Sequence, residues 1–127
     1  MDRFPFREFD MTAITTNGSG TGSTTFSDLP RGALWAIDVD YGAADATTVL
    51  TGVVVGGAAD GTDRTIFVTA ASQTDGMRYP RAAATKAADG SAGTGEEVIP
   101  LTGRPLKITA TVAGASKTIS IRVYVLQ

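Results

Sequence analysis

The sequence predicts an all-β protein, a single-domain antiparallel β-sandwich with a jelly-roll-like strand arrangement. Three observations lead to this prediction. Apolar residues recur at every second position in several runs, turn-forming residues separate these runs, and no run has the periodicity of an amphipathic helix. A series of short strands separated in this way is typical of two sheets that share one core.

The clearest alternation lies between Arg104 and Leu126. In the run 106–112 every second residue is apolar, and the same holds in the run 119–125. The segment 113–116 between them is Ala-Gly-Ala-Ser, which is short and turn-forming. We therefore predict that the two runs pair as an antiparallel hairpin whose apolar face is covered by earlier strands, because an isolated hairpin is unstable in water.

The earlier part of the chain supplies further strands. A weak alternation over 9–16 predicts a first strand, and a β-like run at 24–27 follows a glycine-rich loop. The second strong element is 33–41, where alternation directs Trp35 and every second residue after it toward the core. The predicted core comprises Trp35, Ile37, Val39, Ile66, Val68, Leu106, Ile108, Ile119, Ile121 and Val123.

A second hairpin is predicted from the β-branched run 46–55 and the returning run 65–71, with a bulge at Gly52. The piece 77–81 is extended and contains Pro80, which cannot donate to a sheet and so belongs at an edge or outside it. The small-residue stretch 82–95 predicts a long loop. A short strand is expected at 98–101 before the chain turns into the final pair of runs.

Composition restricts the chemistry that is available. The 127 residues suit one domain, and the chain contains neither cysteine nor histidine. Disulfides, thiolate metal sites and the usual general base at neutral pH are therefore absent. The net charge is 11 − 13 = −2. Because proteins that neutralise nucleic-acid phosphates are normally basic, we expect no nucleic-acid partner.

The first residues carry charges and no apolar core of a secretory signal, and no run is long enough to span a bilayer. We therefore expect synthesis in the cytoplasm and no membrane partner.

Catalytic and metal-binding patterns are missing from the sequence. No lysine follows a serine at the spacing used by Ser–Lys enzymes, and the adjacent Glu96 and Glu97 would face opposite ways on a strand. Asp38, Asp40 and Asp45 lack the spacing of a calcium loop and suit the solvated face of a strand better. The sequence thus predicts a protein that is not an enzyme, with no catalytic residue, cofactor or metal ion.

Residues 1–8 form a predicted extended arm, and 9–127 form the sandwich domain. Pro5 favours an extended backbone, and the flanking aromatic residues lie beside arginines. Two interpretations remain open: the arm plugs its own core, or it docks on a partner, because aromatic residues and arginine are enriched at interface hot spots. The predicted partner-contact residues are Arg3, Phe4, Phe6, Arg7, Phe9, Arg78, Tyr79 and Arg81.

Three segments carry a resemblance to a known group of proteins. Residues 36–42 (Ala-Ile-Asp-Val-Asp-Tyr-Gly), 70–81 (Ala-Ala-Ser-Gln-Thr-Asp-Gly-Met-Arg-Tyr-Pro-Arg) and 99–108 (Ile-Pro-Leu-Thr-Gly-Arg-Pro-Leu-Lys-Ile) resemble, in this order, small virion proteins of tailed bacteriophages. These act as capsid decoration (cement) proteins or minor head components. The resemblance covers roughly 33–126 and transfers no catalytic residue.

The resemblance implies a structural role in the virion, with the major capsid protein as partner and self-association, most often as a trimer. An alternative is a neck, connector or tail subunit. A third hypothesis is a small carbohydrate-binding module, whose sites usually expose aromatic side chains. With Trp35 predicted to be buried, Tyr79 and Tyr124 are the main candidates for such a site.

Overall fold

The computed structural model describes residues 6–83 and 96–126, and all regular structure in these ranges is β. The strands are β1 (Phe6–Thr15), β2 (Gly22–Phe26), β3 (Arg31–Asp40), β4 (Val49–Val54), β5 (Arg64–Val68), β6 (Gly76–Arg78), β7 (Ala82–Ala83), β8 (Glu96–Glu97), β9 (Ile99–Thr102), β10 (Leu106–Thr111) and β11 (Thr118–Leu126).

Two antiparallel sheets form the body of the protein. Sheet 1 has the order β1-β11-β3, and β3 pairs on its far side with β9 along 31–34 and with β6 along 37–39. Sheet 2 has the order β2-β10-β4-β5, and β7 and β8 form a small separate ribbon. Side chains from both sheets share one core, so the predicted antiparallel β-sandwich is confirmed.

The final two runs do form strands, but they do not pair with each other, and the predicted hairpin is wrong. β10 lies between β2 and β4 in sheet 2, whereas β11 lies between β1 and β3 in sheet 1. Each strand buries one face, which gives alternating apolar and polar residues in the sequence. This alternation is the same whether two strands are neighbours in one sheet or belong to the two sheets of a sandwich, so it does not predict pairing.

The linker 112–117 crosses from one sheet to the other. Val112, predicted to face inward, is instead 58% exposed, with a φ of 54° that turns the chain out of the sheet. The next residue, Ala113, is fully buried; its N–H donates to the Gly20 carbonyl (3.1 Å), and its carbonyl accepts from the N–H of Asp45 (3.0 Å). The linker is thus fixed to two neighbouring loops rather than free as a hairpin tip.

A bulge in β3 changes which residues face the core. Tyr124 pairs with Ala36 and Val125 pairs with Leu34, so Trp35 is the extra residue between two regular pairs. Leu34 is therefore fully buried, and Trp35 is only partly buried. The prediction that Trp35 belongs to the core is wrong, because the bulge reverses the alternation at this point, while Ile37 and Val39 are buried as expected.

The β4–β5 hairpin is confirmed, but the bulge predicted at Gly52 lies on the opposite strand. Gly52 pairs with Phe67 and Val53 pairs with Thr65, so the extra residue is Ile66 of β5. The Phe67 ring lies where a Cβ on Gly52 would be, so a larger residue there would displace the ring. β5 is an edge strand, and its side chains are incompletely covered. Ile66 is only partly buried, and Val68, predicted to be in the core, is 63% exposed.

The remaining predicted core positions are confirmed, and all of them are fully buried. They belong to the two final strands of the chain. They are Leu106, Ile108, Ile119, Ile121 and Val123.

The structure describes only parts of the predicted arm and of the predicted long loop. β1 begins at Phe6, and its residues 6–8 pair with 126–124 of β11, so the last three residues of the predicted arm are a sheet edge in the structure. Residues 1–5 and 84–95 lie outside the described part of the chain.

Candidate binding surface beside β3 and β6

A compact group of aromatic and arginine side chains lies at the open edge of sheet 1. β6 pairs with β3 along 37–39, and the chain then continues past Trp35 as the segment 79–81. We call Trp35, Arg78, Tyr79 and Arg81 the aromatic–arginine patch. As predicted for an edge element, Pro80 lies outside the strands, between the end of β6 and the start of β7.

Trp35, Tyr79 and Arg81 contact one another directly. The two rings meet edge to face, with centroids 6.2 Å apart and an interplanar angle of 80°. The Arg81 guanidinium carbon lies 4.8 Å from the Trp35 ring centroid and 6.0 Å from that of Tyr79. Both distances are in the range of cation–π attraction, so the charge and the rings hold each other in place.

Backbone carbonyls also hold Arg81. Its Nη1 donates to the carbonyls of Trp35 and Pro80, each at 2.7 Å. This arrangement exists because the β3 bulge moves Trp35 out of the core and next to the segment that follows β6. The side chain is therefore ordered before any partner arrives, which lowers the entropic cost of binding.

Arg78 is held in a similar way on the other side of the patch. Its guanidinium lies 5.8 Å from the ring centroid of the buried Tyr41, and its Nη2 donates to the Thr74 carbonyl at 2.6 Å. The Asp75 carboxylate accepts from the backbone N–H of Tyr41 at 2.8 Å. These contacts fix the loop before β6 to the end of β3.

A groove of about 470 Å³ runs beside the patch, between the chain at 67–72 and the residues 78–80. Its first wall is fixed to β4 and the turn before it, because the N–H of Thr69 donates to the Leu50 carbonyl (2.9 Å) and that of Ser72 to the Thr48 carbonyl (3.0 Å). Val68 and Tyr79, 63% and 55% exposed, offer apolar surface here. The groove can therefore contact apolar groups of a partner as well as charged ones.

The structure divides the predicted contact residues into two groups. Arg78, Tyr79 and Arg81 are brought together at one edge of sheet 1. Phe9 lies in β1 at the opposite edge and is partly buried against the core. The register carries Phe9 through Val123 and Ile37 to Arg78, so three strand spacings, roughly 14 Å, separate the two groups.

The other predicted contacts are less fully described. Phe6 and Arg7 lie in β1, where the structure describes their backbone only. Arg3 and Phe4 lie outside the described residues. The prediction of a contact role for these residues therefore remains a prediction.

Trp35 is the member of the patch that the sequence reasoning missed. The run 33–37 is apolar without interruption, so alternation alone does not decide between Leu34 and Trp35 as the inward residue. The single tryptophan of the chain is thus part of the surface rather than the core.

The patch consists of two aromatic and two arginine side chains. Among the described residues, no group of three acidic side chains is placed to hold a metal ion. Asp40 instead accepts from the backbone N–H of Gly42 at 2.9 Å, and Asp45 lies against Gly114.

No helix in the described ranges is long and apolar enough to cross a bilayer.

Comparison with known proteins gives likeness in fold only. No family model and no curated protein matches the chain. Among solved structures, chitosan-binding module 1 of a chitosanase/glucanase from Paenibacillus sp. IK-5 is 14% identical, with a TM-score of 0.46 over 89% of this chain and 75% of that one. PirA is 8% identical, with a TM-score of 0.44 over 98% and 96%.

A serine protease of Aeromonas sobria is 11% identical, with a TM-score of 0.41 over 98% of this chain and 28% of the protease. At this level of similarity the comparisons carry no functional argument.

Proposed function

We propose that the protein is a non-catalytic structural subunit of a tailed-bacteriophage virion. In this proposal it binds the outer surface of the lattice of the major capsid protein and stabilises that lattice. The observation that carries the binding role is the stack of Trp35, Tyr79 and Arg81 at an open sheet edge. Tryptophan, tyrosine and arginine are the residues most enriched at protein-interface hot spots.

The choice of partner is supported by the resemblance of segments 36–42, 70–81 and 99–108 to small virion proteins. The second of these segments includes three of the four patch residues, namely Arg78, Tyr79 and Arg81. The proposal includes synthesis in the bacterial cytoplasm, incorporation into the virion and self-association as a trimer. Several copies acting together would raise the avidity for a repeating lattice.

Co-sedimentation with undecorated capsids tests this proposal. Wild-type protein should bind saturably at regular lattice sites. The double substitution Tyr79→Ala with Arg81→Ala should weaken binding by about thirtyfold or more, because truncating a hot-spot residue typically costs about 2 kcal/mol or more. Arg64→Ala is the matched control, since Arg64 is an exposed arginine on β5 away from the patch.

Each result has a distinct meaning. No binding by the wild-type protein would exclude capsid decoration. Equal binding by the wild type and the double variant would move the contact surface away from the patch. Copy number separates decoration from a neck, connector or tail position, because a lattice holds hundreds of copies, whereas a ring has only about a dozen.

A second candidate function is carbohydrate binding, and the position of Trp35 favours it more than the sequence did. The exposed Tyr79 and the partly buried Trp35 lie next to each other, with their rings edge to face. However, Arg81 lies over the Trp35 ring, and a sugar that stacks on an aromatic side chain needs a free ring face. A glycan screen in which Trp35→Ala abolishes a hit would favour this function over the first.

A further inference from the structure

We propose that the groove beside the aromatic–arginine patch binds an extended, acidic segment of a protein partner, with a carboxylate seated on Arg81. This inference rests on the proposed function, because it concerns the same surface, and it specifies the chemistry of the partner. It is carried by the hydrogen-bond geometry of Arg81, the surrounding charges and the shape of the groove.

Two nitrogens of Arg81 make no hydrogen bond to any side chain or carbonyl that the structure describes, and their geometry suits a carboxylate. A guanidinium has five N–H donors. Both hydrogen bonds that Arg81 makes to described residues use Nη1, which donates to two carbonyls. Among the described residues, Nε and Nη2 have no acceptor, and these two nitrogens form the parallel fork that binds a carboxylate through both oxygens.

Arg78 adds positive charge to the same surface. Its nitrogens are directed to the carbonyls of Thr74 (2.6 Å) and Met77 (3.3 Å), so it acts as a fixed charge more than as a free donor. Within the described ranges the ion pair is between Arg122 and Glu8, at 2.9 Å on another part of sheet 1. Among the carboxylates whose side chains the structure describes, which excludes Glu96 and Glu97, none forms an ion pair with Arg78 or Arg81. The chain as a whole has a net charge of −2.

The shape of the groove favours a peptide over a compact anion. It is about 470 Å³ in volume and passes from Val68 along 69–72 to Tyr79. Arg81 does not line the groove; it follows Pro80, the last lining residue in the chain. An extended peptide has alternating side chains, so residues that contact Val68 and Tyr79 in the groove can be followed by one that reaches Arg81 beyond its end. A single inorganic anion would use the charge and leave this apolar surface uncovered.

Fluorescence of the single tryptophan, Trp35, provides a direct readout on the full-length protein. The probes are an amidated octapeptide with two glutamates that flank a valine, and the same peptide with glutamines. The glutamate peptide should bind about tenfold more tightly at low salt, and this advantage should shrink as ionic strength rises from about 0.02 M to about 0.3 M, because salt screens exposed charges.

Substitutions at the fork test the assignment to Arg81. Arg81→Gln should remove most of the preference for glutamate. Arg81→Lys should recover only part of it, because lysine keeps the charge but lacks the planar fork. Arg64→Gln serves as the control and should leave the preference unchanged. The melting temperature of each variant shows that the loss is not due to unfolding.

Three outcomes would overturn the inference. They are equal affinity for the two peptides, binding of oligogalacturonate but not of the glutamate peptide, and a several-fold gain in affinity for Glu97→Gln. The last would mean that an internal carboxylate holds the fork, since the backbone of Glu97 pairs with Ala82 beside Arg81. If neither peptide binds but capsids bind through the patch, the proposed function stands and the acidic preference is wrong.

Discussion

Tyr41 shows how one residue links the core to the surface. It is fully buried, and the guanidinium of Arg78 covers its ring. Its hydroxyl oxygen is also buried and has no hydrogen-bond partner among the described residues. A buried polar group without a partner is destabilising, because it has lost its hydrogen bonds to water.

We therefore predict that Tyr41→Phe stabilises the fold. The ring and its contact with Arg78 remain, and only the unpartnered hydroxyl is removed, so the free energy of unfolding should rise by about 1 kcal/mol. Urea denaturation of the two proteins checks this. A loss of stability of similar size would show that the hydroxyl is bonded to something in the folded protein.

At the scale of a single element, the bulge in β3 decides what the patch contains. It directs Leu34 into the core and leaves Trp35 beside Arg81. The two neighbours should therefore respond very differently to truncation, although either one is a plausible core residue in the sequence.

We predict that Leu34→Ala lowers the free energy of unfolding by about 2–5 kcal/mol, because it leaves a cavity in a closed core. Trp35→Ala should cost less, about 1–2 kcal/mol, since the ring is only partly buried and its described contacts with Tyr79 and Arg81 lie outside the core. Thermal and chemical denaturation of both variants provide the comparison. A larger loss for Trp35→Ala would contradict the bulge.

The same element explains where sequence reasoning succeeded and where it could not. Alternation located the strands well, because burial of one face dictates it. It does not encode which strand lies alongside, so β10 and β11 were predicted to form a hairpin although they belong to different sheets. A one-residue bulge is likewise invisible to alternation in an uninterrupted apolar run such as 33–37.

At the scale of the whole molecule, the candidate contacts lie at two opposite edges of sheet 1. The patch flanks β6, whereas β1, which carries Phe9 and follows the predicted arm, is at the other edge. The sequence predicted three of the four patch residues as contacts but grouped them with the arm, since nothing in the local sequence reports the width of a sheet. The two edges can therefore be tested as separate surfaces.

Hydrogen–deuterium exchange of the protein bound to capsids tests the central claim most directly, because it compares the two edges in one experiment. The account predicts that binding slows amide exchange in the segment 67–81, which forms the groove and most of the patch, and leaves β1, the strand at the other edge of sheet 1, unchanged. Protection confined to β1 and β2, with unchanged exchange across 67–81, would contradict it.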